Sequence, residues 1–218
     1  RTSAVAGALP GLNPFEGMLF RTTFGAVLMD AQFLRGTALG NLIFQSEFDR
    51  HRQRMEGILD RLSDLPGLPG PKFVFAHIIA PHPPFVFGPQ GEPVQPSQTF
   101  TTLDAQNYPG TPEAYRQGYS DQLTYLNSRL EQVLARILER SDPAPVVILQ
   151  GDHGPGSTFA GGEAAQRSMA ERMSILSAVY LGGRGDGAAF YPSVTPVNTF
   201  RLVFNQVFAA NLPLLPDV

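Results

Sequence analysis

The chain has 218 residues, 43% hydrophobic, 16% charged and 10% aromatic, which fits a folded globular chain and excludes a disordered one. A net charge of -3, with one Lys and fifteen Arg scattered along the sequence, gives no electrostatic footprint for nucleic acid, and no apolar run reaches the ~18–20 residues of a membrane span. The absence of cysteine excludes a disulfide framework, a thiolate zinc site and a cysteine nucleophile.

Residues 1–46 are apolar and Gly-rich; Met18, Phe20, Phe24 and Leu28 suggest helical pieces packing on the rest of the domain. From Glu47 to Leu62 the spacing of Phe48, Met55, Ile58, Leu59 and Leu62 predicts an amphipathic helix, with Arg50, Arg52, Arg54 and Asp60 largely on the solvent side. His51 is expected on that charged face, in solvent. The Pro/Gly run from Leu65 to Pro71 stops the helix. Lys72–Ile79, dense in β-branched and aromatic residues after a turn, reads as a buried strand. Pro81–Pro112 holds eight of the twenty prolines, so it is read as a long ordered loop.

Thr111 and Pro112 suit the cap and first turn of a second helix, whose stripe is Tyr119, Leu123, Leu126, Leu130, Val133 and Ile137. Pro145–Gln150 reads as another strand, ending in Gly151-Asp152-His153-Gly154. A short helix around Glu163–Met169, a third strand over Ser174–Leu181 and a last helix over Val197–Phe208, capped near Thr195, complete the chain. The alternation predicts an α/β fold with layers around a mostly parallel sheet. The organisation expected is a helical N-terminal region, 1–70, packing on an α/β part, 71–218. The chain opens on Arg1 without Met or a signal-like segment and is read as a piece of a longer protein.

In a parallel α/β sheet, ligands bind beyond the carboxyl ends of the strands. At the end of the second strand the glycines let the backbone turn, so the Asp152 carboxylate and the His153 imidazole can converge on one point. Their donors suit Mn, Zn, Mg or Ca, with further ligands from elsewhere. The plainer alternative is an Asp capping the following turn beside a solvated His. His82 sits between Pro81 and Pro83, whose restricted backbone presents the imidazole stiffly to a substrate oxygen; otherwise it is a histidine in a surface loop. His77, mid-strand, reads by itself as a hydrogen-bonded core or cleft-floor residue.

Other features carry less. Tyr115 and Tyr119 are explained as core, and Arg201 as one half of a local ion pair. The glycines of Gly182–Gly187 match no phosphate-binding spacing, and there is no Gly-x-Ser-x-Gly elbow.

The run from Phe73 through His77, Pro81, His82, Pro83 and Pro84 to Phe85, followed by the helix containing Tyr119-Ser120-Asp121-Gln122-Leu123 and then by Val147–Gly154, resembles the sulfatase-like branch of the alkaline phosphatase superfamily. The likeness is to the C-terminal half of that catalytic domain, from about Pro71 to Asp217. It implies an α/β/α sandwich, incomplete at its N-terminus, in a metal-dependent hydrolase or transferase acting on sulfate or phosphate esters. By this resemblance Asp152 and His153 are metal ligands for a divalent ion (Mn, Ca, Mg or Zn). His82 contacts the substrate's anionic group or protonates the leaving oxygen, and His77 lies near the substrate. The family's Thr, Ser or formylglycine nucleophile has no match here; no Cys/Ser-x-Pro-x-Arg motif occurs.

The chain is therefore expected to hold half an active site, to partner with an N-terminal part of the same protein, and to turn over little alone. A non-catalytic binding or scaffold domain is the rival reading. A di-zinc phosphodiesterase needs more His and Asp ligands than the four histidines and their spacing offer. The resemblance also implies a parent outside the cytoplasm, attached to a membrane through segments not in this chain.

Overall fold

A computed structural model describes residues 47–97, 100–157 and 169–217. The helical pieces expected before Glu47, and most of the short helix expected from Glu163, lie outside the described residues; residues 169–173 are helical.

Helix α1 (Glu47–Asp64) buries His51, Met55 and Leu59, spaced four apart on one face. Its acidic first turn (Glu47, Asp49) and basic last turn (Arg61) complement the helix dipole. Helix α2 (Pro112–Arg140) starts where the sequence predicts: the Thr111 hydroxyl accepts a hydrogen bond from the Ala114 N–H at 3.1 Å, and Pro112 occupies the first turn. Along the shared contact Leu59, Leu126 and Val133 are buried, flanked by Leu62, Leu130 and Ile137. At its N-terminal end the buried face of α2 turns to Tyr115 and Gln122 rather than Tyr119 and Leu123, because the Pro-rich loop lies there. Arg129 on α2 clasps α1 through Glu56 (3.1 Å) and Asp60 (2.8 Å), and the Tyr125 hydroxyl donates to Glu56.

Over its described residues the Pro-rich loop is fastened by two buried polar side chains. Arg52 donates to the carbonyls of Val86 (3.1 Å) and Val94 (2.7 Å) and pairs with Asp49. Gln122, fully buried, accepts from the Val86 N–H (2.9 Å) and donates to the His82 carbonyl (3.2 Å). Gln122 satisfies backbone groups that the loop leaves unpaired, while Arg52 adds a second donor to the Val86 carbonyl, which also accepts from the Val94 N–H at 2.9 Å. Between these anchors Phe85, Val86 and Phe87 enter the core; Val86 and Phe87 pack with Met55.

The sheet differs from expectation. The one sheet among the described residues is the antiparallel pair β1 (Val147–Gln150) and β2 (Ser177–Tyr180), in the register Val147↔Tyr180 to Gln150↔Ser177. The mostly parallel sheet read from the sequence is thus not found among these residues: apolar runs mark strands but do not encode their direction. Lys72–Ile79 likewise does not form a strand. It is irregular, with Phe73 and Phe75 85% and 83% exposed, since an apolar run becomes a strand only beside a neighbour that takes up its N–H and C=O groups. Its end, at Ile78 and Ala80, packs on the α1/α2 core.

Helix α3 (Pro196–Phe208) is stopped by Ala209 in the left-handed conformation (φ 51°), and the chain then runs back along it. Asn198 exchanges two hydrogen bonds with Leu215 (2.9 and 2.7 Å), and Asn205 two with Leu212 (2.6 and 2.8 Å). Among the described residues Arg201 does not form the expected ion pair; it donates to the Pro213 carbonyl at 2.9 Å. Thr195 is the cap residue, yet its side chain makes no capping bond; Asp217 accepts from its N–H (2.8 Å) and hydroxyl (2.6 Å). No helix among the described residues is long and apolar enough to cross a membrane.

Candidate active site

Two loops and the helical turn 169–173 meet at one place. The first loop carries His82. Pro83 and Pro84 are buried and Gln122 holds the His82 carbonyl, so the backbone under this imidazole is fixed from both sides. His82 Nδ1 lies 2.7 Å from the Pro83 carbonyl oxygen, which can only accept. Nδ1 therefore carries a proton, and Nε2 is the nitrogen presented to the cleft, 3.9 Å from Asp104 Oδ2.

The second loop follows β1. Its turn requires glycine at 154: a Cβ there would stand 2.1 Å from the Glu171 carbonyl oxygen and 2.6 Å from that of Ser174. The close approach lets the Gly154 N–H donate to the Arg172 carbonyl at 2.7 Å, fastening the loop to the turn 169–173. His153 Nδ1 lies 2.9 Å from the Gly154 carbonyl, which again leaves Nε2 as the outward nitrogen. Asp152 accepts from the His153 N–H with one oxygen (3.0 Å) and places the other 3.7 Å from His153 Nε2. The imidazoles of His82 and His153 come within 6.4 Å, centroid to centroid.

A partly buried polar chain underlies the two histidines. Arg172 donates to Asp104 (2.6 Å), to the Gly154 carbonyl (3.2 Å) and, through Nη2, to His153 Nε2 (3.2 Å). The other oxygen of Asp104 accepts from the Tyr115 hydroxyl (2.8 Å), which itself accepts from the Gly156 N–H (3.0 Å). Burial opposes ionisation of Asp104, but its hydrogen bonds from Arg172 and Tyr115 prevail and hold its carboxyl below the usual range. Burial pushes the Tyr115 hydroxyl well up, against the opposing pull of the Gly156 N–H, so it stays a neutral donor.

Of the residues singled out from the sequence, His82, Asp152 and His153 are brought together. His77 is not: it is exposed and lines a shallow hollow with Ile58, Arg61, Leu62, Val74 and Phe75, and among the described residues no hydrogen bond or ring contact ties it to the other histidines. His51 corrects the expectation of a solvated side chain. It is 7% exposed, packed edge-on against Phe100 (5.7 Å), because the Pro-rich loop covers the face of α1 read as solvent-facing. Burial, then Arg54, His82 and Arg52, lower its pKa to about 4. Asp104 and Arg172 were not anticipated. Both sit in segments without periodicity, and neither lies in a motif. Tyr115 is core, as expected, but its hydroxyl also belongs to the site.

The donor pair Asp152/His153 suits a divalent ion in part. A separation of 3.7 Å is close to the ~3.0–3.4 Å between two donors on one ion with bonds near 2.1 Å. Among the described residues no group of three or more His, Cys, Asp or Glu side chains is gathered to hold a metal, so this pair supplies two ligands and the remainder would come from elsewhere.

The sequence model of the Sulfatase family matches residues 16–176, which takes in both loops, Asp104, Tyr115 and Arg172. The chain belongs to the sulfatase family. Neither the curated proteins nor the solved structures give a match. Membership brings with it an alkaline-phosphatase-like α/β fold and a hydrolase family whose members typically use a divalent metal ion. The family match begins well before Pro71, where the motif resemblance starts, and ends before α3.

Proposed function

We propose that this sulfatase-family chain carries the substrate-anion and metal-ligand portion of a hydrolase or transferase acting on sulfate or phosphate esters. The supporting observation is the convergence of His82, His153 and Asp152 around the Arg172–Asp104 pair, whose members are 68 positions apart in sequence. Asp152 and His153 would hold the divalent ion through Oδ2 and Nε2. When bound, such an ion polarises the ester and stabilises the attacking oxyanion.

His82 Nε2 faces the same cleft, and as the imidazolium, with both ring nitrogens protonated, the ring would present Nε2–H to contact the anion or to give that proton to the leaving oxygen. Its Nδ1–H bond to Pro83 and the clamp from Gln122 fix the ring, so little reorganisation accompanies reaction. Arg172, held by Asp104, adds a cation beside the anion. The nucleophile and further ligands come from residues other than those described.

Calorimetric titration with Mn2+, and with sulfate or phosphate in its presence, tests this reading. Mn2+ binding should be lost in Asp152→Asn and His153→Ala, and anion binding in His82→Ala, while aryl sulfate and aryl phosphate are turned over slowly at best by the chain alone. Robust turnover without a partner segment would refute the half-site. A second reading, a non-catalytic scaffold, draws on the lack of a third metal-type ligand among the described residues. A chain that binds neither Mn2+ nor the anions would establish it.

A further inference from the structure

We propose that Arg172 occupies the metal-binding lone pair of His153, so that the Arg172–His153 hydrogen bond and a divalent ion at Asp152 and His153 exclude one another. The inference rests on the reading of those two residues as metal ligands. His153 Nδ1 faces a carbonyl oxygen at 2.9 Å and must carry the ring proton, so Nε2 holds the lone pair. A guanidinium N–H can only donate, and Arg172 Nη2 stands 3.2 Å from Nε2. The lone pair needed for coordination is already engaged.

Passing to the ion-bound state moves no proton. The Nδ1–H bond to Gly154 is kept, the Nη2–H···Nε2 bond is broken, and Nε2 donates its lone pair to the ion. The guanidinium cannot travel far, because Nη1 remains tied to Asp104 at 2.6 Å and to the Gly154 carbonyl at 3.2 Å. Its released Nη2 then faces the cleft beside His82, as a donor for an ester's anionic oxygen. Loading of the ion thus uncovers the group that receives the anion, an order of binding built into one side chain.

The test follows Mn2+ binding to the 218-residue chain by electron paramagnetic resonance of the free ion. Mn2+ is the weakest competitor of its series and so the most sensitive to a protein group in its place. Arg172→Met should bind Mn2+ about tenfold more tightly, the low end of the range by which surrounding groups set metal affinity. Arg172→Lys keeps the charge without the planar fork and should also gain. Unchanged or weaker binding in Arg172→Met overturns the proposal. So does a gain in Met with none in Lys, which reduces the effect to charge repulsion.

Since removing Arg172 also frees Asp104, a second measurement uses the unaltered chain. As Zn2+ is titrated in, the guanidinium 15N–1H signals of Arg172 should shift while those of Arg129, held by Glu56 and Asp60, stay in place. Arg172 signals that stay fixed while Zn2+ saturates His153 overturn the proposal and leave the metal-ligand reading standing. If His153→Ala binds Mn2+ as tightly as the unaltered chain, or neither chain binds it, both fall.

Discussion

Asp104 and Arg172 are joined by a 2.6 Å ion pair across 68 positions of sequence, and this pair ties the Pro-rich loop to the turn that holds Gly154. The Asp104 side chain is only 10% exposed, so the bond is not a loose surface contact. In Asp104→Asn the guanidinium loses its charged partner. Stability should fall by ~1–3 kcal/mol, the cost of disrupting a partly buried charged hydrogen bond, and anion binding should weaken with it. Urea unfolding and anion titration on one preparation check both; unchanged anion affinity would show that Asp104 has a purely structural role.

Tyr115→Phe removes the hydroxyl between Asp104 and the Gly156 N–H while keeping the ring packed on Phe85 and Tyr108. A loss of ~1–2 kcal/mol is expected, because the Gly156 N–H is left buried without its acceptor. Thermal unfolding measures it, and amide exchange at Gly156 should quicken by a corresponding factor.

Glycine 154 and glycine 151 bracket the Asp152-His153 pair but face different constraints. A Cβ at 154 meets backbone oxygen at 2.1 Å, whereas one at 151 finds nothing nearer than 3.7 Å. Gly154→Ala should lower stability by ~1–3 kcal/mol or more through forced backbone displacement and weaken Mn2+ binding; Gly151→Ala should do neither. The comparison fails if the two variants behave alike in denaturant and in ion titration.

Gln122→Leu tests the anchoring of His82. Both the Val86 N–H and the His82 carbonyl lose their partner inside the protein, at ~1–3 kcal/mol for each buried group left unpaired. Hydrogen exchange over residues 82–87 should accelerate more than over α1. Equal protection would place the rigidity of that loop in its prolines alone.

Two acidic windows should be separable. His51 in the fold has its pKa lowered from 6.5 to about 4, so the unfolded chain binds its proton first as pH falls. Its contribution is complete above pH 6.5 and is lost progressively toward pH 4. Hydrogen bonds from Thr195 and Tyr191 lower Asp217 from 3.8 to about 2, so its contribution is complete above 3.8 and disappears toward 2. Unfolding midpoints measured against pH should lose the first slope in His51→Leu and the second in Asp217→Asn. A slope between pH 6.5 and 4 that survives in His51→Leu assigns it to another group.

The helices were legible because α1 and α2 carry their own instructions: apolar spacing, the Thr111 cap, Pro112 in the first turn. The motif loops were legible too, since prolines around His82 and glycines around Asp152-His153 restrict the backbone locally. Lys72–Ile79 shows the limit, for its residues favour burial but a ladder depends on another segment. Asp104 and Arg172 show a second limit. Their importance arises from a contact made only after the chain has folded, and neither residue's neighbours announce it. His51 failed for a related reason: helical periodicity identifies a polar face, but not the loop that later covers it.

The paired amide clasps of Asn198 and Asn205 give the chain's last residues an unexpected status. Leu212 to Asp217 behaves as a splint bound along the final helix, with the acid at its far end gripping the cap residue Thr195 by its N–H and hydroxyl. Trimming only these six residues would therefore unseat the beginning of a helix that lies earlier in the sequence.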